Sequence, residues 1–449
     1  MKLTFWGGAG SVTGANYLLE VNNRKFLIDC GLQQGSRYAE KENFNSFPYN
    51  PNEIEAVFIT HAHIDHVGLL PKLYKNGFRG KIYSTPPTKD FAKVILEDSE
   101  HILSEEAQYW HYNPLYTLED VEAMQGIWQT TDYHKTLDFK DLKVTFFDAG
   151  HILGSAFILI EAENKKIVFS GDLGNSPEPI IKDRDIIPPA DYCLIESAYG
   201  DRLHEDVSKR EDILEDAIEE TVKNGGTLVI PAFAMERTQE LLYHINDLVE
   251  NDRIPKVPIY IDSPLAIKLT EIYDRYRNYY NDEAIQLLKK EGKSFLIFPN
   301  VYLTLTTEES KKINDVPPPK IVIAGSGMSH GGRILHHEIR YLPDPKSMIL
   351  FVGYQAEGSL GRKILDGAEQ VKIFGEDVPV NCQKKVISGY SAHADQKGLL
   401  DWLYPDRKIL KKVYVVQGEK EASLVLAEKI RDNLALIAEV PTYGEVVDL

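Results

Sequence analysis

The chain is short of cysteine, of positive charge and of long apolar runs, and each shortage closes off a class of protein. Three cysteines in 449 residues, Cys30, Cys193 and Cys382, are too scattered and odd in number for a disulfide framework or a cysteine-built zinc knot. They predict reduced, buried thiols in a cytoplasmic protein. No run of about 18 apolar residues occurs, so no membrane span is expected. The opening MKLTFWGGAGSVTG has neither the apolar core nor the cleavage site of a signal peptide. Lysine and arginine total 50 against 68 aspartates and glutamates, a formal charge of −18. That balance argues against tight, sequence-independent gripping of a polyanion through phosphate contacts. It leaves room for a local basic groove, or for a metal site that supplies positive charge where an anion binds.

What is present is an ordinary globular composition, 43% hydrophobic, with chain enough for two or three domains. Short β-rich runs come first: LTFWG, YLLEV, KFLIDCG, AVFITHA and KIYST. A helical stretch, TKDFAKVILEDSEHILSEEAQYW, follows, then another whose N-cap is Thr117 in TLEDVEAM. Strands return with KVTFFDAGH, AFILIEAE, KKIVFSGDLG and DYCLIESAYG. From about residue 205, charged helices alternate with apolar strands such as TLVIPAFA, VPIYIDSPL, KIVIAGSGM and MILFVGY, the pattern of a parallel α/β sheet. Two more strand-like runs and the helix EASLVLAEKIRDNL close the chain. There is no internal repeat and no low-complexity segment.

The stretch FITHAHIDHVGLL places His61, His63, Asp65 and His66 within six positions, directly after a strand. Side chains alternate along a strand, so these four can converge only where the chain leaves it. Imidazole and carboxylate together suit zinc and similar divalent metals. His151 in FFDAGHILGSA and Asp172 in IVFSGDLGN follow strands in the same way; either alone would read as a turn residue.

In order along the chain, Asp29 in FLIDCG, the H-x-H-x-D-H cluster, His151, Asp172 and His393 in SGYSAHAD resemble the motif set of the metallo-β-lactamase superfamily. The resemblance implies an αββα sandwich with two zinc ions, or other divalent metals, at its strand ends. Under it His61, His63 and His151 hold one metal, Asp65, His66 and His393 the other, and Asp172 bridges them. Asp29 orients the ligands, and a water activated between the two metals is the nucleophile.

IESAYGDRLH, IPAFAMERTQELL, YIDSPLA, IAGSGMSHGGRILHH and GYQAEGSLGRKILDG resemble the β-CASP group, in which an α/β cap is inserted into the sandwich. Its characterised members are nucleases that process RNA. The implied layout is 1–204 for the first part of the sandwich, 205–361 for the cap and 362–449 for its completion. The implied activity is hydrolysis of single-stranded RNA in the cytoplasm, leaving 5′-phosphate and 3′-hydroxyl ends, and a homodimer is compatible with it. Glu196 is the acidic residue of the first cap motif. Ser326, Gly327 and His330 in the glycine-rich turn, with Arg237 and Arg333, are candidate contacts to RNA phosphates. The chain departs from the family pattern twice. Lys363 stands where relatives carry a histidine shortly after EGTL, and is expected to pair with Glu196 or to act as a fixed charge beside the leaving oxygen. Gln417 in VVQGE stands where relatives commonly have His-Gly-Glu. Two rival readings are a small-molecule metallohydrolase, favoured by the acidic charge, and a catalytically weak RNA-binding paralogue.

Overall fold

The two-residue period of the first strands decides where the core of the N-terminal region lies. A computed structural model describes residues 1–35, 37–204, 209–292, 294–353, 355, 358–387 and 389–449. The chain forms two compact units, Met1–Leu203 with Ala392–Leu449, and His204–Ser391.

The first unit holds two seven-stranded sheets. One runs Val446–Asp448, Lys2–Phe5, Tyr17–Val21, Arg24–Ile28, Ile54–Phe58, Lys81–Ser84, Trp128–Thr130; the other runs Ala438–Glu439, Lys412–Val416, Tyr192–Glu196, Lys165–Phe169, Ala156–Ala162, Leu142–Asp148, Thr136–Asp138. Alternation sorts the side chains. Along Ala156–Ala162, Ile158 and Ile160 join Phe5, Leu19, Phe26 and Phe58 in the core between the sheets, while Phe157 and Leu159 point the other way. There they meet Trp402 of the helix Gln396–Leu403 and share a second core with Leu426 and Ile430 of the helix Lys420–Leu434. Truncating a fully buried ring such as Phe58 to alanine costs about 3–5 kcal/mol. The long helix spans Pro86–Trp110, capped by the Thr85 hydroxyl accepting from Thr88 N–H; the Thr117 helix carries a full capping box with Asp120. All three cysteines are buried and unpaired.

The second unit is built on six parallel strands in the order Val301–Leu303, Ile259–Asp262, Lys320–Ala324, Thr227–Pro231, Met348–Val352, Gln383–Ile387. Its central strands are buried on both faces, as their unbroken apolar runs require. Gln383–Ile387 pairs with Met348–Val352, which keeps residues 362–391 with the inserted unit. The boundary therefore falls about thirty residues beyond the one expected at 361.

Candidate metal centre

Polar residues gather where strands of the first unit stop. Asp29 follows Arg24–Ile28, Thr60 and His61 follow Ile54–Phe58, and His151 follows Leu142–Asp148. Asp172 follows Lys165–Phe169, Glu196 ends its own strand, and Gln417 follows Lys412–Val416. His63 precedes the short helix Ile64–Val67, which carries Asp65 and His66. The loops lie very close. A Cβ on Gly174 would stand 1.7 Å from the Gly150 carbonyl oxygen, so only glycine lets the Asp172 loop rest on the His151 loop.

His61 Nε2 and His151 Nε2 lie 3.0 and 3.1 Å from His63 Nδ1, and 3.4 and 3.6 Å from Asp172 Oδ2. Their other ring nitrogens set the tautomers. His151 Nδ1 is 3.2 Å from the Ala392 carbonyl oxygen, which only accepts, so the proton sits on Nδ1 and Nε2 presents a lone pair. Thr60 Oγ1 donates to Asp29 Oδ2 at 2.8 Å and therefore accepts from His61 Nδ1, at 3.1 Å, leaving a lone pair on His61 Nε2 as well. His63 can donate to only one of these two. Burial first, and then neighbouring imidazoles, pull His61, His63 and His151 below the ordinary histidine value, which keeps them in the neutral form that ligates. Acceptors crowded like this are repulsive unless a cation joins them. Three imidazoles and a carboxylate, their donor atoms all within 4.8 Å of one another, fit a divalent metal of zinc type.

Asp172 turns its other oxygen the opposite way. Oδ1 is 3.4 Å from His66 Nε2, and Asp65 Oδ2 is 3.8 Å from the same nitrogen. His66 Nδ1 donates to Asp29 Oδ2 at 2.7 Å, which orients the ring so that Nε2 is the atom turned toward Asp172 and Asp65. Burial lowers the His66 pKa, but Asp172, Asp29 and Asp65 outweigh it and push it well above the ordinary value; positive charge is wanted there. Asp29 is fully buried, sits at φ +59° and also accepts from Thr60 N–H at 2.8 Å.

His393 does not join Asp65 and His66 in the way expected of it. Its Nδ1 is 3.1 and 3.3 Å from the Glu196 carboxylate oxygens and 3.9 Å from Asp172 Oδ2. Burial lowers the His393 pKa, but Glu196 and then Asp172 more than offset this and push it up to about 9. Beside His66 stands Gln417 instead, its Nε2 3.0 Å from His66 Nε2 and 2.8 Å from Asp172 Oδ1.

The second unit redistributes the remaining candidates. Lys363 is exposed on the helix Leu360–Leu365, while Glu196, the partner expected of it, is engaged by His393 and by Leu173 N–H at 2.6 Å. Arg333 bonds Asp262 at 2.7 Å and the carbonyls of Thr304 and Leu305 at 2.9 Å, which ties it into the fold rather than offering it to a phosphate. Arg237 is buried and paired with Glu240 and Glu236. In the glycine-rich turn Ser326 N–H donates to Gly331 O, Ser329 N–H to Ser326 O and His330 N–H to Ser326 Oγ, while the Gly327 carbonyl accepts from Gln355. Amides spent inside the loop favour a plain tight turn over a phosphate cradle; the His330 ring is exposed. Sequence reasoning missed Thr60, although it immediately precedes the cluster in FITHAH, and gave Gln417 no place despite its departure from the family pattern.

Three family models match the chain in order: a metallo-beta-lactamase superfamily domain over residues 18–191, a Beta-Casp domain over 238–364 and a Zn-dependent metallo-hydrolase RNA specificity domain over 377–441. Ribonuclease TTHA0252 of Thermus thermophilus is 39% identical over 430 residues, 95% of either chain. An RNase J-like protein of Methanocaldococcus jannaschii is 32% identical, covering 100% of this chain and 99% of its own. The transcription termination factor FttA of Pyrococcus horikoshii is 31% identical over 100% of this chain and 71% of its own. A crystal structure of a protein of unknown function from Enterococcus faecalis shares the fold, with a TM-score of 0.58 at 12% identity over 100% of this chain and 99% of its own.

Proposed function

We propose that this chain, which belongs to the metallo-β-lactamase superfamily and within it to the Beta-Casp group, is a metal-dependent ribonuclease acting on single-stranded RNA. The observation that carries the reading is Asp172, with one oxygen toward the His61–His63–His151 nitrogens and the other toward His66, beside the separate His393–Glu196 pair. The ribonuclease name of a relative matched over 95% of its length, and the RNA specificity domain over 377–441, point the same way.

His61, His63, His151 and Asp172 would hold one metal, and Asp172, Asp65 and His66 a second. Divalent ions bound there would polarise the scissile phosphate and make water a competent nucleophile near neutral pH. Asp29 and Thr60 keep the ring protons of His66 and His61 on Nδ1, so that both Nε2 atoms face the centre. Glu196 holds His393 through Nδ1, and His393 gives a proton from its other nitrogen to the departing 3′-oxygen. In this reading His393 takes the role that the sequence left to Lys363. The products carry 5′-phosphate and 3′-hydroxyl ends. Three buried, unpaired cysteines suit a cytoplasmic site of action, and among the described residues no helix is long and apolar enough to cross a membrane.

End-labelled single-stranded RNA incubated with the protein should give a product ladder that a chelator abolishes and added zinc or manganese restores. The charge of −18, with Arg237 and Arg333 both tied to carboxylates, favours a small-molecule phosphodiesterase as the second reading. Turnover of a chromogenic diester with RNA left intact would establish that reading in place of the first.

A further inference from the structure

We propose that Gln417 makes the metal position formed by Asp65, His66 and Asp172 the weak, exchangeable half of an unequal two-metal centre. The inference rests on the metal-centre reading above and deepens it. Gln417 is held in place by its backbone: it is 2% exposed, sits at φ +50°, and its N–H donates to the Gly8 carbonyl at 2.6 Å while its carbonyl accepts from Ser197 N–H at 3.4 Å. That anchorage delivers the carboxamide to the gap between His66 Nε2 and Asp172 Oδ1, at 3.0 and 2.8 Å.

His66 Nδ1 faces Asp29, which turns Nε2 toward Gln417, and Asp172 Oδ1, a carboxylate oxygen, accepts from the Gln417 amide. The Gln417 amide nitrogen stands against both atoms. The neutral amide thus does between these two atoms what a cation does, and an ion entering the position must displace it. Displacement breaks the buried hydrogen bond to the Asp172 carboxylate, a charged acceptor, and the contact with His66. A half-turn about Cγ–Cδ then brings Oε1 where Nε2 stood, so the side chain can remain as a ligand, but a neutral carbonyl oxygen is a weak one for zinc. The two positions therefore differ in kind. One has three imidazoles and a shared carboxylate, a zinc-type set. The other has one imidazole, two carboxylates and a carboxamide, an oxygen-rich set better suited to manganese or magnesium.

Metal content, read apart from activity, tests this. After exhaustive dialysis the wild type should retain about one zinc per chain and Gln417→His about two. Titration against a chromophoric chelator should show the second zinc bound roughly tenfold to a hundredfold more tightly in Gln417→His than in the wild type. Gln417→Glu, which keeps the side-chain shape, should tighten manganese at the second position by a similar factor, and circular dichroism establishes that each variant is folded. Two zinc ions retained equally by the wild type, or a second-ion affinity unchanged in both variants, would overturn the inference. Absence of bound metal from all three folded proteins would overturn the metal-centre reading itself, and this inference with it.

Discussion

Asp29→Asn changes one atom and should damage both halves of the centre. Three donors converge on the Asp29 carboxylate: Thr60 N–H on Oδ1, and the Thr60 hydroxyl and His66 Nδ1–H on Oδ2. Asparagine keeps only one acceptor oxygen, and it tolerates the left-handed backbone at φ +59°, so the perturbation is confined to these hydrogen bonds. If that oxygen faces Thr60 N–H, the new NH2 group points at Thr60 Oγ1 and His66 Nδ1. The hydroxyl must then reverse and donate to His61 Nδ1, and His66 must accept. Both imidazoles move their proton to Nε2, where it blocks a ligand lone pair on each side of Asp172. If the oxygen faces His66 instead, the tautomers survive but the buried Thr60 N–H meets another donor. The first orientation should weaken metal binding by about tenfold to a hundredfold, or about 1.4–2.7 kcal/mol. The second strands a buried donor at about 1–3 kcal/mol of stability. Zinc competition against a chelator reads the first cost. Thermal unfolding of the metal-stripped protein reads the second. Asp29→Asn protein with wild-type zinc affinity and wild-type stripped-form stability would refute the tautomer reasoning.

His393→Ala should slow RNA cleavage by roughly 10²–10⁴-fold while zinc content stays at the wild-type value; loss of a metal equivalent would return His393 to the ligand set. Lys363→Ala, at an exposed position, should leave stability within about 0.5 kcal/mol and cleavage near the wild-type rate, and a tenfold slower rate would restore its catalytic part. Gly174→Ala drives a Cβ onto the Gly150 carbonyl and should lower both the melting temperature and the bound metal, where a surface substitution would change neither. In the second unit, Asp262 accepts from Thr304, Ser310, Arg333 and His337 at 2.6–2.7 Å. Burial would raise its pKa, but these partners, His337 first, hold it well below the usual carboxylate range. Its folded value thus lies below its unfolded one, so its contribution is complete above about pH 4 and is lost as the pH falls toward the folded value. Asp262→Ala should cost about 3 kcal/mol at neutral pH and flatten that acid limb in chemical denaturation, whereas equal acid sensitivity in both proteins would exclude the network as its source.

Much of the fold was legible because its signals are local. The alternation in AFILIEAE separates the two cores, the unbroken run in KIVIA marks a strand covered on both faces, and the residues bunched in THAHIDH announce a metal site. What escaped is long-range. Lys412–Val416 lies parallel to Tyr192–Glu196 with Val416 opposite Glu196, which carries Gln417 to the strand edge where Asp172 and His66 already stand. Those partners are 245 and 351 residues away along the chain, and no periodicity encodes that register. The same strand order explains why His393 was misplaced. The resemblance to the metallo-β-lactamase superfamily, carried over motif by motif, assigns it to the second metal. The isolated bridge between Gly174 and His393, together with the bond from Ala394 N–H to the Leu173 carbonyl, instead hangs its ring beside Glu196. Once His393 is spent on Glu196, the position next to His66 must be completed by something else. The buried side chain that contacts both His66 and Asp172 there is the Gln417 amide, and that exchange of imidazole for carboxamide is why the two halves of the centre should differ in their hold on metal.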